Sequence, residues 1–360
     1  MTIGHLFGGP AQSVRCAWRP VPDSLNMNII IKKGVPVLAV ASALLLASCA
    51  SSDAPSADPA RTSLTSCGLD LDVASPPERA VTLEQGATEL LLALGLEDRM
   101  IGTSYLTDAV APRFEEAYEQ VPVLAEQYPT TEQLRAAEPD FTYSMRASAY
   151  AAEAGGSREE LVELGVPAYL SSNDCEDPEL VTDEVGFDQL FAEIEDLATV
   201  FGVEDRGDEL VAAQRTTLDA VRAGSDATGD PSVVWLYSTI DGAPIVAGAN
   251  GLAQALGDLA GARNAFDDLD AQWTETTWDE IAQRDPDVLV LADLSRGLAG
   301  DSADDKIAAL RADPVTSGLA AVRQDHLVAV PATELDPSVR SIDALQTLST
   351  ALLDLSEETR

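Results

Sequence analysis

Two separate stretches of this 360-residue chain carry almost the same pattern, and that repetition is the strongest constraint on its fold. TTEQLRAAEPDFTYS occupies residues 130–144, and TTWDEIAQRDPDVLVL occupies residues 276–291. In each stretch a threonine opens a short helical pattern, a Pro-Asp pair ends it, and an apolar strand follows at once. Pro139 and Pro286 hold equivalent places. An internal duplication of this kind predicts two similar halves.

Short apolar runs alternate with helical patterns through both halves. The predicted strands are residues 79–83, 100–103, 140–144 and 167–171 in the first half and residues 232–237, 245–247, 287–291 and 327–330 in the second. Alternation of strands and helices is typical of a mostly parallel sheet with helices on its faces. The sequence therefore predicts an α/β fold of two lobes, with residues 67–185 in the first and residues 224–360 in the second.

Residues 186–223, between the predicted lobes, form a helical segment. Apolar residues recur at helical spacing from Phe187 to Leu197, and a second helical pattern covers residues 204–222. This second helix would be about 28 Å long, which is enough to pass from one lobe to the other. We therefore expect a single long helix to join the lobes and to make them stiff relative to each other.

The amino-terminal segment has the order of parts found in a secretory signal. Lys32 and Lys33 precede an apolar run, residues 34–48, that is too short for a comfortable membrane span. We interpret residues 1–48 as a signal peptide, with Met27 as the preferred start. The sequence Leu-Ala-Ser-Cys that ends at Cys49 resembles a bacterial lipobox, in which the cysteine thiol takes a diacylglycerol before cleavage. An ordinary cleavage site with an incidental cysteine is the alternative.

Residues 49–66 are rich in Ser, Ala, Pro and Thr, which indicates a flexible tether, and the lipobox resemblance implies that this tether is lipidated at Cys49. Two cysteines, Cys67 and Cys175, remain beyond the tether. In an extracytoplasmic protein an even pair suggests a disulfide, and two free buried thiols are the alternative.

The charge of the chain excludes several partners. Its 61 acidic and 22 basic residues give a formal net charge of −39. Residues 1–48 carry four basic residues and one acidic residue, so their removal would bring the net charge to −42. Such a surface repels nucleic acid and anionic lipid headgroups, so we expect no nucleic-acid partner and no membrane contact except through a lipid anchor.

The sequence also argues against a metal centre and against catalysis. The chain has two histidines, His5 and His326, and a His-rich zinc or manganese site needs several. It contains no G-x-S-x-G elbow, H-E-x-x-H motif, P-loop or G-x-G-x-x-G motif. We therefore expect a protein that is not an enzyme and has no resident cofactor. A secreted hydrolase that depends on His326 is a remote alternative.

The segments PERAVTLEQGATELLLALGL and WDEIAQRDPDVLVLAD, together with the lipobox, the paired lobes and the connecting helix, carry a family resemblance. They resemble the ABC-transporter substrate-binding lipoproteins of the Fe³⁺-siderophore/cobalamin class, the class III periplasmic binding proteins. The resemblance covers residues 67–356. It implies a monomer, lipid-anchored to the outer face of the cytoplasmic membrane, that captures a ferric siderophore between its lobes with little closure. It also implies delivery to an ABC permease and its ATPase.

The same resemblance implies how the permease is recognised. In the family, one carboxylate from each lobe, seven residues before the Pro-Asp of each repeat, meets a pocket of arginines on the permease. The matching positions are Glu132 and Asp279. Asp279 departs from the usual Glu, and Glu280 beside it is the alternative docking residue.

The carboxy-terminal part carries a narrower resemblance. DDKIAALRADPVTSGLAAVRQDHLVAV, followed by ELDPSVRSIDAL, is similar to an actinobacterial subfamily proposed to import a deazaflavin-coenzyme precursor. A phosphate-bearing deazaflavin precursor is therefore an alternative ligand, and cobalamin, whose cobalt would come with the ligand as Fe³⁺ would with a siderophore, is another.

Ligands of open α/β sheets bind outside the carboxyl ends of the strands, so polar and aromatic residues just past each predicted strand are candidates for ligand binding. The candidate ligand-binding residues are Gln85, Tyr105, Tyr128, Arg146, Tyr150, Trp235, Tyr237, Trp273, Arg296 and Arg340. Tyr and Trp offer broad faces, and Arg holds carboxylate or phosphate in a bidentate fork. This set predicts a large ligand that is flat or anionic. Any of the aromatic residues could instead belong to the core.

Overall fold

The structure, a computed structural model, describes residues 61–181, 185–240, 242–295, 297 and 300–358. The predicted signal peptide, Cys49, the tether up to residue 60 and Arg296 lie outside the described residues.

The described residues contain strands and helices in alternation, as the sequence predicts. The strands are β1 Thr62–Ser66, β2 Leu69–Val73, β3 Ala80–Thr82, β4 Met100–Ser104, β5 Val123–Ala125, β6 Phe141–Ser144, β7 Ala168–Leu170, β8 Ser232–Ile240, β9 Ala243–Ala247, β10 Arg263–Asn264, β11 Trp273–Glu275, β12 Val288–Asp293 and β13 Leu327–Pro331. The α-helices are α1 Gln85–Ala93, α2 Glu115–Tyr118, α3 Thr131–Ala136, α4 Arg158–Glu163, α5 Phe187–Phe201, α6 Glu204–Gly224, α7 Leu252–Ala260, α8 Trp278–Arg284, α9 Ala303–Ala312, α10 Ala320–Arg323 and α11 Ser341–Glu358. Among these helices, none has both the length and the apolar character needed to cross a membrane.

Each lobe is built on its own sheet. The first has the strand order β5-β4-β3-β6-β7, and all of its neighbours pair in parallel. The second has the order β11-β9-β8-β12-β13, with β10 beside β8. Strands β8, β12 and β13 are parallel, whereas β9 and β11 are antiparallel to their neighbours. The predicted fold class, two mostly parallel α/β lobes, is confirmed.

The duplicated motif performs the same structural task in both lobes. Helix α3 begins after the N-cap Thr130, and α8 begins after the N-cap Thr277; each threonine side chain accepts a hydrogen bond from a backbone N–H of the first turn. Each helix is followed by a residue of positive φ, Glu138 (φ 52°) or Asp285 (φ 40°), directly before the proline. This left-handed residue ends the helix, and the proline prevents its continuation.

The aspartate of each Pro-Asp pair then fixes the neighbouring strand. The Asp140 carboxylate accepts hydrogen bonds from the backbone N–H groups of Glu78 and Arg79 (both 2.9 Å), at the entrance to β3. The Asp287 carboxylate accepts one from the backbone N–H of Ser232 (2.8 Å), where β8 begins. The repeat therefore sets both the end of a helix and the start of the adjacent central strand.

The structure shortens the predicted tether. Its last residues, Thr62–Ser66, form strand β1 and pair with Leu69–Val73 in an antiparallel hairpin. Cys67 (φ 44°) and Gly68 (φ 75°) make the turn, and two successive positive φ angles match the right-handed twist of a two-residue hairpin. Cys67 is bonded to Cys175, in the loop after β7, and thereby joins the hairpin turn to the first lobe. The alternating polar and apolar residues of TSLTSCGLDLDV would have indicated this hairpin, but the sequence analysis assigned the first of them to the tether.

The apolar core continues from one lobe to the other. One face of each sheet has its own core, built around residues such as Leu83 in the first lobe and Leu236 in the second. The opposite faces share a single apolar cluster that also includes residues of α5, α6 and α11. Helix α6, whose 21 residues would span about 31 Å, leads from the first lobe into β8. It is the predicted long connecting helix.

Candidate ligand-binding cleft

A cleft between the two lobes is lined from both sides. It consists of three adjoining cavities with volumes of about 590, 490 and 260 Å³. Arg146 of the first lobe and Asp336 of the second line all three. A space of this size is suited to a large small-molecule ligand.

Arg146 and Asp336 form an ion pair across the cleft. Arg146 follows strand β6, and its Nη2 donates to Oδ1 of Asp336 at 2.5 Å. Both side chains are about one-third exposed (36% and 35%), so the pair lies on the wall of the cleft rather than in the core. The Asp336 carboxylate raises the pKa of Arg146 further above its ordinary value, with smaller contributions from Glu84 and Asp174. Arg146 is therefore a fixed cation whose charge is already balanced.

Glu84 forms part of the floor of the cleft. Its side chain caps helix α1 by accepting hydrogen bonds from the backbone N–H groups of Gly86 and Ala87 (2.9 Å each) and a third from that of Met145 (3.2 Å). Burial raises the pKa of the Glu84 carboxyl above its usual range. At Gly86 an added Cβ would lie 2.5 Å from Sδ of Met145 and 3.6 Å from Cβ of Ser338 in the other lobe. The small residue thus lets the two lobes meet closely beneath the cleft.

Two aromatic pairs line the cleft, one on each lobe. In the first lobe the rings of Tyr105 and Tyr128 are 4.5 Å apart, and in the second those of Tyr237 and Trp273 are 4.9 Å apart. Tyr105 follows β4 with a φ of 52°, a conformation that is uncommon for a tyrosine and often marks a functional site. One of the cavities is lined by Tyr105, Tyr128 and Tyr237 together. The cleft therefore offers broad aromatic surfaces from opposite sides.

Six of the predicted ligand-binding residues line the cleft in the structure. They are Gln85, Tyr105, Tyr128, Arg146, Tyr237 and Trp273. Gln85 is mostly buried, and its side-chain amide forms hydrogen bonds with the loop at residues 107–109. Its Oε1, for example, accepts from the backbone N–H of Asp108 at 2.8 Å. Its role at the cleft is therefore partly to hold that loop in place.

Two of the predicted aromatic residues lie in the core. Tyr150 is 1% exposed, and its hydroxyl donates to the carbonyl oxygen of Tyr169 at 2.9 Å. Trp235 is fully buried, on the face of β8 that belongs to the core shared by the lobes. Side chains alternate along a strand, so Trp235, two residues before the cleft residue Tyr237, lies on the same face but deeper in the sheet. Neither residue lines the cleft, which corrects the sequence-based assignment.

Arg340, predicted to bind ligand, instead joins the lobes. It is 5% exposed, and its guanidinium is 3.1 Å from Glu334 and 3.4 Å from Glu89 of the other lobe. The same side chain donates to the carbonyl oxygen of Ala109 at 3.2 Å. Because these partners enclose it, it does not reach the cleft. Arg296, the remaining predicted arginine, lies outside the described residues.

The structure adds cleft residues that the sequence analysis missed. Among them are Thr107, Asn173, Asn250, Asp270, Gln272, Asp301 and Asp336. Asp336 comes shortly after β13, so a wider search past that strand would have included it. Asp270 and Gln272 precede β11, a short antiparallel strand that the alternation of the parallel strands did not predict.

The two predicted docking carboxylates occupy matching places on the lobe surfaces. Glu132 is exposed in the first turn of α3, and Asp279 is exposed in the first turn of α8. The alternative, Glu280, is bound to Arg284 at 2.9 Å, and Arg284 also contacts Asp268 at 2.6 Å. This contact leaves Asp279 as the more accessible of the two acids on α8.

Replacing Arg340 tests its role between the lobes. In Arg340→Met, Glu89 and Glu334 would lose the buried cation, so we expect a loss of about 3–5 kcal/mol in the free energy of unfolding near neutral pH. Burial raises the pKa of both carboxyls, that of Glu334 to about 7. When a carboxyl has a raised pKa in the folded protein, a fall in pH stabilises the folded state, because protonation removes the buried negative charge. The loss of unfolding free energy in Arg340→Met should therefore be smaller at about pH 5 than at about pH 8.

Urea denaturation at both pH values measures this effect. The matched control is Arg113→Met, which breaks the more exposed ion pair with Asp343 (2.7 Å) that also crosses between the lobes. Its cost should be below about 1 kcal/mol. Equal losses in the two variants would contradict the central role of Arg340.

Comparison with known proteins agrees with this architecture. A family model described as periplasmic binding protein matches residues 81–334. A periplasmic binding protein from Veillonella parvula is 27% identical, with a TM-score of 0.71 over 81% of this chain and 97% of its own. An Fe³⁺-hydroxamate ABC-transport protein from Saccharomonospora viridis is 26% identical, with a TM-score of 0.65 over 81% of this chain and 98% of its own.

A curated relative points the same way. The vitamin B12-binding protein of Vibrio parahaemolyticus is 27% identical over 215 residues, which are 59% of this chain and 70% of that protein. The family model spans well over half of the chain and includes strands of both lobes and most of the residues that line the cleft. The chain belongs to the periplasmic binding protein family, as a substrate-binding protein of the ABC-importer class.

Proposed function

We propose that this protein is the extracytoplasmic substrate-binding lipoprotein of an ABC importer, and that it captures a ferric-siderophore-type ligand between its lobes and delivers it to the permease. The observation that carries the proposal is the cleft itself, with an aromatic pair on each lobe and polar groups between them. Aromatic faces suit the bulky, partly apolar surface of an iron chelate. The similarity to the Fe³⁺-hydroxamate transport protein supports this choice of ligand class.

The contacts between the lobes support capture with little closure. The shared apolar core, the α6 helix and the Arg340 contacts all resist a change in the angle between the lobes. Opening the cleft widely would expose buried apolar surface, which is costly, and would separate Arg340 from Glu89. A ligand would therefore enter a cleft that is largely formed beforehand.

Two other ligands fit specific observations. Cobalamin is supported by the similarity to the B12-binding protein, and a phosphate-bearing deazaflavin precursor by the resemblance of the carboxy-terminal part to an importer subfamily. The hydrolase alternative has little support, because the His326 ring is directed to the backbone carbonyl of Asp287 (3.1 Å) and is not among the residues that line the cleft.

The lipid anchor belongs to the same proposal. Cys49 would carry the lipid, and residues 50–60 would connect it to the β1–β2 hairpin. Anchoring would hold the binding protein at the outer face of the cytoplasmic membrane, close to its permease. A monomer is sufficient for this function, because each chain contributes both walls of its own cleft.

Native mass spectrometry tests the ligand. Residues 50–360, secreted from a related host, should co-purify with an adduct that shows the iron isotope pattern. A cobalt-containing adduct would favour cobalamin, and a metal-free phosphorylated adduct would favour the deazaflavin precursor. Turnover of acyl or phosphoryl esters by the pure protein would contradict a binding role.

Counting thiols tests the lipid anchor and the disulfide together. Mature protein extracted from membranes and alkylated under denaturing, non-reducing conditions should show no alkylated thiol, because Cys49 is lipidated and Cys67 is bonded to Cys175. One alkylated thiol would count against lipidation of Cys49. Two would count against the disulfide, and reduction should add two in the native form.

Removing the docking carboxylates should separate transport from binding. We expect Glu132→Ala and Asp279→Ala each to reduce growth on limiting iron at least tenfold in a strain that depends on this protein, with ligand affinity unchanged. Glu280→Ala should have a smaller effect, because that carboxylate is bound to Arg284. Glu209→Ala, an exposed acid on α6, is the matched control. Normal growth of the Glu132 and Asp279 variants would refute the docking assignment.

A further inference from the structure

The charged residues that line the cleft are mostly acidic. Among the described residues of the three cavities, the acidic ones are Glu84, Asp270, Asp301 and Asp336, and the one basic residue is Arg146. This distribution bears on the ligand, because a site that holds a polyanion needs cations that are free to contact it.

Arg146 does not meet that requirement. Its Nη2 is 2.5 Å from Asp336, and the carboxylates of Glu84 and Asp174 also lie close enough to stabilise its charge. An incoming anion would have to compete with Asp336 for the guanidinium and would leave that carboxylate beside it. Arg340 offers no substitute, because Glu89 and Glu334 hold it in the interior.

The net charge of the lining stays negative even when Glu84 and Asp301 are left out. Glu84 can be left out, because its carboxylate already accepts hydrogen bonds from the backbone N–H groups of Gly86, Ala87 and Met145. Asp301 can also be left out, because the Lys306 ammonium lies next to it and donates to its carbonyl oxygen and to that of Ala292. Asp270, exposed at the rim and bonded to Asn250 at 2.9 Å, and Asp336 still outnumber Arg146. The described lining therefore has no positive excess.

The electrostatic field of the whole protein also disfavours anionic ligands. The chain carries a net charge of −39, which would become −42 after loss of residues 1–48. A charge of this size repels anions and concentrates cations around the protein, especially at low ionic strength. The aromatic pairs add a local attraction, because a ligand ammonium over a Tyr or Trp face is stabilised by the ring.

We propose that the cleft selects iron chelates that carry no net negative charge, in particular neutral or cationic ferric trihydroxamates, and rejects polyanionic ones. This inference rests on the proposed function. Three hydroxamate groups bring one negative charge each and cancel the charge of Fe³⁺, so any additional amine makes the complex cationic. Three catecholate groups bring two each and leave a trianion. The acidic lining separates these two classes by charge.

Isothermal titration of residues 50–360 with three defined chelates tests the inference. The probes are ferrioxamine B, a monocation; ferrichrome, which is neutral; and ferric enterobactin, a trianion. At least one of the first two should bind at least tenfold more tightly than the trianion, and added salt should weaken binding of the monocation. Equal or tighter binding of the trianion would overturn the inference while leaving the proposed function intact. If none of the three binds, the inference and the ferric-siderophore function both fail.

One variant should shift the selectivity in a stated direction. Asp336→Asn removes a negative charge from the cleft and frees Arg146, so binding of the monocation should weaken and binding of the trianion should strengthen, each by about tenfold. The control is Asp343→Asn, which breaks the Arg113 ion pair between the same two lobes outside the cleft and should change neither affinity. An unchanged ratio of affinities in Asp336→Asn would refute the charge mechanism.

Two further variants keep the test informative. If Asp336→Asn fails to fold, Asp270→Asn at the exposed rim should shift the same ratio by about threefold, because its charge is more screened. Arg296→Gln addresses the arginine that lies outside the described residues. Strong trianion binding by the original protein that disappears in Arg296→Gln would refute the inference and identify Arg296 as the anion-binding group.

Discussion

The geometry of the cleft depends on the contacts that the buried Arg340 makes between the two lobes. This residue comes from the second lobe, near the start of α11, and contacts Glu89 in α1 of the first lobe. Helix α1 also carries Glu84 at its amino-terminal end and Gln85 in its first turn, both of which line the cleft. A contact that fixes α1 against the second lobe therefore also fixes the floor of the cleft. Because Arg340 and Glu89 are both buried and pair with each other, packings that separate the lobes here are disfavoured.

The repeated Pro-Asp device explains why both lobes face the same space. In each lobe it ends a helix, starts the next strand and holds the entrance of the central strand through the aspartate. The central strands β3 and β8 then run in a defined direction, and the residues past their carboxyl ends meet between the lobes. Parallel sheets place their ligands at this edge for the same reason. The duplication in the sequence thus becomes two walls of one cleft.

The charge of the protein and that of its cleft have the same sign but different consequences. The surface charge is long-ranged and is screened by salt, so it affects mainly the rate at which charged ligands approach. The cleft charge acts at short range. There Asp336 already neutralises Arg146, the one arginine among the described residues that line the cleft. Together they connect the acidic composition of the chain with the proposed preference for chelates without net negative charge.

The sequence alone was sufficient for the fold class, the duplicated halves, the long connecting helix and the family resemblance. Each depends on a local pattern: strand and helix periodicity, the Pro-Asp repeat, or a run of helical residues. It was also sufficient for six of the cleft residues. Two of them, Tyr105 and Arg146, follow strands whose carboxyl ends could be predicted. The hairpin at Thr62–Val73 was readable in principle, but its composition resembles that of a tether.

Only the tertiary structure decided which side chains line the cleft and which face the interior. Arg340 and Arg146 are both arginines past a strand, yet one is enclosed by Glu89 and Glu334 and the other lies on the cleft wall. Trp235 and Tyr237 are two residues apart on one strand, yet the first lies deep in the core and the second lines the cleft. Sequence spacing determines on which element a residue lies. Burial and pairing depend on residues that are far away in the chain, such as the 251 positions that separate Glu89 from Arg340, and these distances close only when the lobes pack together.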